Sequence, residues 1–307
     1  MSVDNGYYNF SEFLGKFFPY KVQKISINAG FTCPNRDGNK GVGGCTYCNN
    51  QTFNPDYCRT VKSVSEQLTQ GKQFFARKYP KMKYLAYFQA YTNTYGELQH
   101  LKTLYQEALS VDDVVGIVIG TRPDCMPDEL LEYLAELSKS AFVLVEYGVE
   151  TSHNKTLDVI NRGHSWEDTT DAVVRTKNKG LLCGIHLIMG LPGESVNDML
   201  ITADNISKLP IDTVKLHQLQ LIKGTRLAQQ VKDGEVKILQ WSAEEYIDVC
   251  LAFLRRLSPK IAVERFVSQS PESLLIIPRW GLKNYEFTNL LMNRIKETGT
   301  RQGVDCL

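Results

Sequence analysis

Three of the eight cysteines crowd into sixteen residues: Cys33, Cys45 and Cys48, within GFTCPNRDGNKGVGGCTYCNN. Two residues separate Cys45 from Cys48, so one short turn carries two thiolates around one centre. Eleven separate Cys33 from Cys45, and the glycines among them let the loop fold back to add a third. Three protein ligands leave a fourth position open, as a reactive metal centre requires. Thiolates are the usual ligands of iron–sulfur clusters. Two other chemistries use the same residue types. A structural zinc site wants a fourth ligand, which Cys58 is placed to supply, but the second Cys-x-x-Cys of zinc ribbons is missing. A thioredoxin-like pair, Cys45 with Cys48, leaves Cys33 unexplained. Spacing favours iron–sulfur over zinc and leaves zinc open.

Such a loop needs a rigid frame. Apolar, β-branched or aromatic runs recur at 22–28, 84–89, 114–120, 142–149, 184–189, 213–221 and 261–266. Amphipathic helical patterns fall between them at 64–79, 98–109, 128–138, 166–179, 196–208 and 243–257. Pro127 before Asp128 and Glu129 suits a helix start, and Gly180 after Lys177 and Lys179 a stop. Alternating strands and helices predict parallel pairing with right-handed crossovers, as a complete or partial barrel or a doubly wound sheet. Polar and glycine-rich stretches follow the strands at 30–50, 89–96, 120–124, 150–164 and 190–194. In barrels, chemistry gathers at those carboxyl ends. Residues 224–234 form a plausible boundary before a C-terminal extension.

Bulk properties narrow the function classes. Formal net charge is +1, from 35 basic and 34 acidic side chains, so no global field points to nucleic acid. Residues 1–10 lack the order of a signal peptide, and no apolar run nears the roughly 20 residues of a membrane span. A cytoplasmic protein is expected, and there a cysteine cluster reads as metal or redox chemistry rather than disulfides.

The sequence resembles the radical S-adenosylmethionine (SAM) superfamily, specifically the short bacterial relatives of the Elongator catalytic subunit. The resemblance spans nearly the whole chain and rests on GFTCPNRDG, GGCTYCNN, FQAYTNTYG, GTRPDC, EYGVETSHNKTLDVINRGH, MGLPGES and HQLQLIKGT. It implies a partial TIM-like (β/α)6 barrel over residues 20–223, preceded by a segment at 1–19 and followed by a C-terminal α/β extension at 224–307. It also implies a 4Fe-4S cluster on Cys33, Cys45 and Cys48, with SAM chelating the fourth iron. Reductive cleavage of SAM would then yield methionine and a 5′-deoxyadenosyl radical. An electron donor such as flavodoxin or ferredoxin is implied as a partner.

The cofactor contacts expected from these motifs are Tyr47, Gln89, Asn93, Arg122, Glu150, Arg162, Gly190 and Pro192. Gln89, Thr92 and Asn93 suit an ammonium group; Thr94 reads equally well as a helix cap. Arg122 with Asp124 is either functional or a structural ion pair. Glu150 is the candidate for a ribose hydroxyl and Arg162 for the cofactor carboxylate, which a guanidinium binds as a fork. Gly190 and Pro192 form a turn expected near the adenine. Glu146, His186 and His217 sit inside strand patterns, where a buried carboxylate must be paired and a histidine is more often structural. His164 reads first as a capping residue. Cys58, Cys125, Cys183, Cys250 and Cys306 form no second cluster spacing, which argues against the methylthiotransferase branch.

Elongator-type enzymes act on the wobble uridine of tRNA, so the resemblance implies a radical step on an existing aminomethyl-type side chain of tRNA. The chain has no room for the acetyltransferase domain of the Elongator subunit. Candidate phosphate contacts are Lys81 with Lys83, Arg175 with Lys177 and Lys179, and Arg255 with Arg256 and Lys260; their bland reading is solvated helix faces. A small-molecule radical enzyme and a zinc-stapled binding protein stand as the alternatives. Glu264, Arg265, Phe266 and 278–283 are read as a cap over the barrel or a partner surface.

Overall fold

The alternating pattern becomes one parallel sheet in a computed structural model that describes residues 6–49, 55–58, 62–76 and 81–306. Six strands run in chain order: β1 (Val22–Ile27), β2 (Lys83–Phe88), β3 (Val114–Thr121), β4 (Phe142–Glu150), β5 (Leu182–Met189) and β6 (Thr213–Gln218). A two-residue strand, β7 (Leu221–Ile222), then leaves this sheet, and β8 (Ala262–Arg265) rejoins it beside β6 as the seventh strand. All six pairings are parallel. A doubly wound sheet would reverse its order at a switch point. This order never reverses, so the sheet curls one way into a half-barrel. The run at 213–221, expected as one strand, is split: β7 pairs antiparallel with β9 (Leu275–Ile277).

The expected helices form as α2 (Val64–Ala76), α3 (Leu98–Leu109), α4 (Asp128–Leu137), α6 (Trp166–Asn178), α7 (Val196–Ser207) and α9 (Ala243–Arg256). The expected end of α2, at residue 79, lies outside the described residues. Ser165, Ser195 and Ser242 cap α6, α7 and α9 through reciprocal bonds with the carboxylates of Asp168, Asp198 and Glu245. Four helices escaped the sequence reading: α1 (Phe10–Leu14), α5 (Asn154–Val159), α8 (Arg226–Lys232) and α10 (Asn284–Thr298). The first three are too short to establish a period. The fourth buries only Phe287, Leu291 and Ile295, a stripe one residue wide.

Alternation sorts each strand's side chains to two faces. On β1, Ile25 and Ile27 join Phe88, Ile119, Val145 and Leu187 beneath Leu68, Tyr105, Leu130 and Val173 of the helices. The inner face carries a smaller apolar cluster of Leu85, Tyr87, Val118, Leu144 and Ala262, covered by Phe13 and Leu14 of α1. The N-terminal helix therefore plugs one end of the half-barrel, and the other end is free to carry the loops. No helix among the described residues is long and apolar enough to cross a membrane.

Candidate active site

Successive inward positions of β4, Leu144, Glu146, Gly148 and Glu150, climb from the apolar plug to the carboxyl end of the barrel. The second carries the ionic floor of the site. Glu146 is 1% exposed and lies 2.5 Å from Lys24 Nζ of β1, 2.9 Å from Lys215 Nζ of β6 and 2.8 Å from His186 Nε2 of β5. Glu264 of β8 lies 2.5 Å from Lys24 and 3.1 Å from Lys215, so the two edge strands meet through side chains. Burial pushes the Glu146 carboxyl up, but Lys215 and Lys24, with the His186 hydrogen bond, hold it well below the usual range. Burial, reinforced by Lys215, pushes His186 down to about 4, and burial with Arg265 holds His217 well below its ordinary value. Both imidazoles are neutral near pH 7.

Above this floor opens a cavity whose non-atom space, mouth included, is about 1240 Å³. Cys33, Cys45 and Cys48 all line it, and all eight cysteines are thiols rather than disulfides. The loop that carries them is stitched to the 160–163 turn. Asn35 Nδ2 donates to the carbonyls of Asn161 (2.6 Å) and Arg162 (3.3 Å) and lies 3.7 Å from Cys45 Sγ. Asn161 Nδ2 returns a bond to the Gly44 carbonyl at 2.8 Å. Thr46 N donates to Ile160 O, and Leu227 N of α8 to Thr46 O. Gly163, at φ +72°, is required here: a Cβ would lie 2.9 Å from Asn35 Oδ1.

Arg162 and Glu150 stand beside the thiols. Arg162 places one terminal nitrogen 3.6 Å from Cys45 Sγ and the other 3.3 Å from Glu150 Oε1, where it also donates to Gly148 O. Gly148 makes room, since a Cβ would sit 2.7 Å from the guanidinium. Glu150 holds a positive φ of 72°, an uncommon backbone for a carboxylate residue. Burial raises its carboxyl, against Arg162 and a hydrogen bond from Tyr47. Two buried polar atoms of this wall, Arg162 Nε and Thr92 Oγ1, have no partner among the described residues. Three soft thiols and unsatisfied polar atoms on one cavity fit an iron–sulfur group with a polar organic ligand beside it. No group of three His, Cys, Asp or Glu side chains among the described residues is gathered to hold a bare ion. Cys58, the fourth ligand a zinc site would want, donates instead to the Ser26 carbonyl at 3.1 Å and does not line the cavity.

Of the expected cofactor contacts, Tyr47, Gln89, Arg122, Glu150 and Arg162 line the cavity, whereas Asn93, Gly190 and Pro192 do not. Asn93 Nδ2 ties β2 to β3 through the carbonyls of Ala90 and Gly120. Gly190, at φ +87°, makes room for the Trp241 ring. Arg122 is committed elsewhere: it grips Asp124 at 2.9 and 3.0 Å and donates to Arg162 O and Gly163 O. Thr94 caps no helix and contacts Thr121 and Cys125 O. His164 lies 3.2 Å from Gly148 O and 3.2 Å from Ser165 O, and burial beside Arg162 drives it down to about 3.

Sequence reasoning passed over several residues. Asn35, Lys24 and Lys215 were missed, although a lysine at an inward strand position was a usable signal. Gln218, Gln220, Ser268 and Ser270 also line the cavity, following β6 and β8. The surface cations expected at phosphates are mostly neutralised: Lys83 by Asp113, Arg175 by Asp128 and Asp171, Lys177 by Asp212, Lys179 by Glu132, Arg255 by Asp305 and Arg256 by Asp204.

A one-way parallel half-barrel with three thiols at its carboxyl end defines a class, and comparison with known proteins agrees. The Radical SAM superfamily profile matches residues 30–206, and the Radical_SAM C-terminal domain profile residues 211–297. The chain is 33% identical over 302 residues to the uncharacterized protein YtqA of Bacillus subtilis (strain 168), covering 98% of this chain and 93% of that one. A tRNA uridine(34) acetyltransferase of Methanocaldococcus infernus is 30% identical over 192 residues, covering 61% of this chain but 34% of that protein. The archaeal Methanocaldococcus infernus Elp3 structure, with an N-terminal deletion, is similar in fold: TM-score 0.67 at 21% identity, over 92% of this chain and 64% of that one. The chain belongs to the radical SAM superfamily and is an enzyme. The superfamily generally uses a 4Fe-4S cluster and SAM.

Proposed function

We propose that Cys33, Cys45 and Cys48 hold a 4Fe-4S cluster, that SAM binds beside it, and that the enzyme acts on a wobble-uridine side chain of tRNA. The observation that carries this reading is the meeting of three thiols with Arg162 and Glu150 on one cavity. When bound, the cluster supplies the electron that splits SAM into methionine and a 5′-deoxyadenosyl radical. Arg162 turns its unpartnered Nε to the cofactor carboxylate, and Glu150 accepts from a ribose hydroxyl. Gln89 and Thr92 face the ammonium end, while Tyr47 steadies Glu150. Arg122 and Asn93 act as positioning residues, through the 162–163 carbonyls and the β2–β3 connection. Gly190 and Pro192 serve the turn behind the site rather than its surface.

Two observations support the substrate. One relative that shares 30% identity is a tRNA uridine(34) acetyltransferase. In addition, Lys223, Arg226 and Arg279 have no ion-pair partner among the described residues and follow β7 and β9 in the chain, and Ile222 of β7 lines the cavity. Asn49 Nδ2, on the cavity wall, donates to Lys223 O at 3.3 Å. An RNA backbone would neutralise such cations, giving salt-dependent binding. The test is anaerobic purification, absorption and electron paramagnetic resonance spectra with and without SAM, and assay of 5′-deoxyadenosine with tRNA. A brown protein whose reduced signal shifts with SAM is expected, and Cys45→Ala should lose iron and activity together. A colourless protein with stoichiometric zinc after reconstitution would sink the cluster. Turnover without salt-dependent tRNA binding would sink the substrate.

A further inference from the structure

Among the described residues six cations line the cavity or its floor; four have carboxylates, and Arg36, on the cysteine loop, donates to Cys48 O and lies over the Tyr91 ring. Lys24 and Lys215 are balanced by Glu146 and Glu264, Arg122 by Asp124, and Arg162 by Glu150. Arg265, the last residue of β8, has no carboxylate within ion-pair reach among the described residues. It lines the cavity, its Nε is buried with no hydrogen-bond partner among the described residues, and a terminal nitrogen lies against the His217 ring, at 3.2 and 3.3 Å. Neither His186 nor His217 alters this balance, since both are neutral near pH 7. A confined guanidinium without a counter-charge is unfavourable and is relieved by an anion.

The wall around Arg265 is polar and fixed. Gln218 Nε2 donates to Ser268 O at 2.9 Å, Ser268 N returns a bond to Gln218 Oε1 at 2.8 Å, and Ser270 Oγ donates to Gln220 Oε1 at 2.6 Å. These bonds tie Gln218 and Gln220 to the 268–270 segment, so they shape the wall without supplying charge. Ile188 of β5 and Leu219 add apolar surface to the same cavity.

We propose that Arg265 anchors an oxyanion carried by the substrate, a carboxylate on the reacting side chain or a phosphate next to it, in a subsite built by β6, β8 and the 268–270 segment. The proposal rests on the reading of this cavity as the site of a SAM-dependent reaction. A guanidinium fork fits either oxyanion and would hold the substrate in the cavity that the three thiols share.

The test uses the cluster-loaded protein under anaerobic conditions. Arginine labelling by butanedione, mapped by mass spectrometry, is compared in chloride, acetate and inorganic phosphate at equal ionic strength. Label at Arg265 is expected to fall with an oxyanion and not with chloride. Protection by acetate alone assigns a carboxylate, and protection by phosphate alone assigns a phosphate. Protection by SAM alone overturns the proposal, because Arg265 would then serve the cofactor. With a tRNA substrate, Arg265→Gln should lower kcat/KM roughly tenfold to a hundredfold, and Arg265→Lys should recover part of it. A kcat/KM for Arg265→Gln equal to wild type also overturns it. Formation of 5′-deoxyadenosine by the wild-type protein without substrate decides the underlying reading separately, since labelling does not depend on turnover.

Discussion

Asn35 shows how one side chain links sequence to chemistry. It is 1% exposed, and its amide satisfies two carbonyls of the turn that carries Arg162 while leaning on Cys45. Replacement by alanine takes the donor from the Asn161 carbonyl, while Arg122 still donates to Arg162 O, at a cost of roughly 1–3 kcal/mol. Asn35→Ala should therefore melt lower than wild type and retain less iron on purification. Unchanged melting and iron content would show that the clasp is dispensable. Arg162 and Glu150 depend on the same clasp, because the backbone that it fixes aims the guanidinium past Gly148.

At the scale of elements, the strands of the half-barrel are held by charge as well as by backbone ladders. Glu146 on β4 draws in β1 through Lys24, β5 through His186 and β6 through Lys215, and Glu264 brings in β8. Lys215 is 2% exposed, so truncating it removes one of the two lysines that balance Glu146 and Glu264 in a low-dielectric layer. Lys215→Met should lower stability by roughly 3–5 kcal/mol, measured as a shift in the urea midpoint. A near-neutral result would mean that water or Lys24 alone compensates. The plug works below this layer, where Phe13 and Leu14 of α1 pack on the apolar end of the inner face.

For the whole molecule, the buried histidines set a pH dependence. His186 is depressed from 6.5 to about 4, so on acidification the unfolded chain takes up its proton first. Stability from this group is complete above about pH 6.5 and is lost as pH falls toward 4, to a limit on the order of 3 kcal/mol. His217 acts in the same direction. Glu146, held low, stays charged through that window and is lost only at more acid pH. Chemical denaturation across the window should show falling stability, with a shallower slope for His186→Gln. A flat profile would mean that these imidazoles charge in the folded state.

The order of strands and helices was legible in the sequence because burial on one face imposes period two or period 3.6. Strand edges such as β3 and β5, and caps such as Pro127 with Asp128, fell within a residue or two of their observed places. The three thiols were legible too, since Cys-x-x-Cys is local chemistry. The ionic floor, the Asn35 clasp and the absence of a carboxylate beside Arg265 among the described residues were not. Each arises from residues brought together across tens to hundreds of positions, and a lysine at 24 carries no mark of the glutamates at 146 and 264. Local spacing therefore determined the elements and marked out the three thiols. Only the closing of the sheet decided which charges are balanced, which polar atoms are left without partners, and where a ligand must supply what the chain does not.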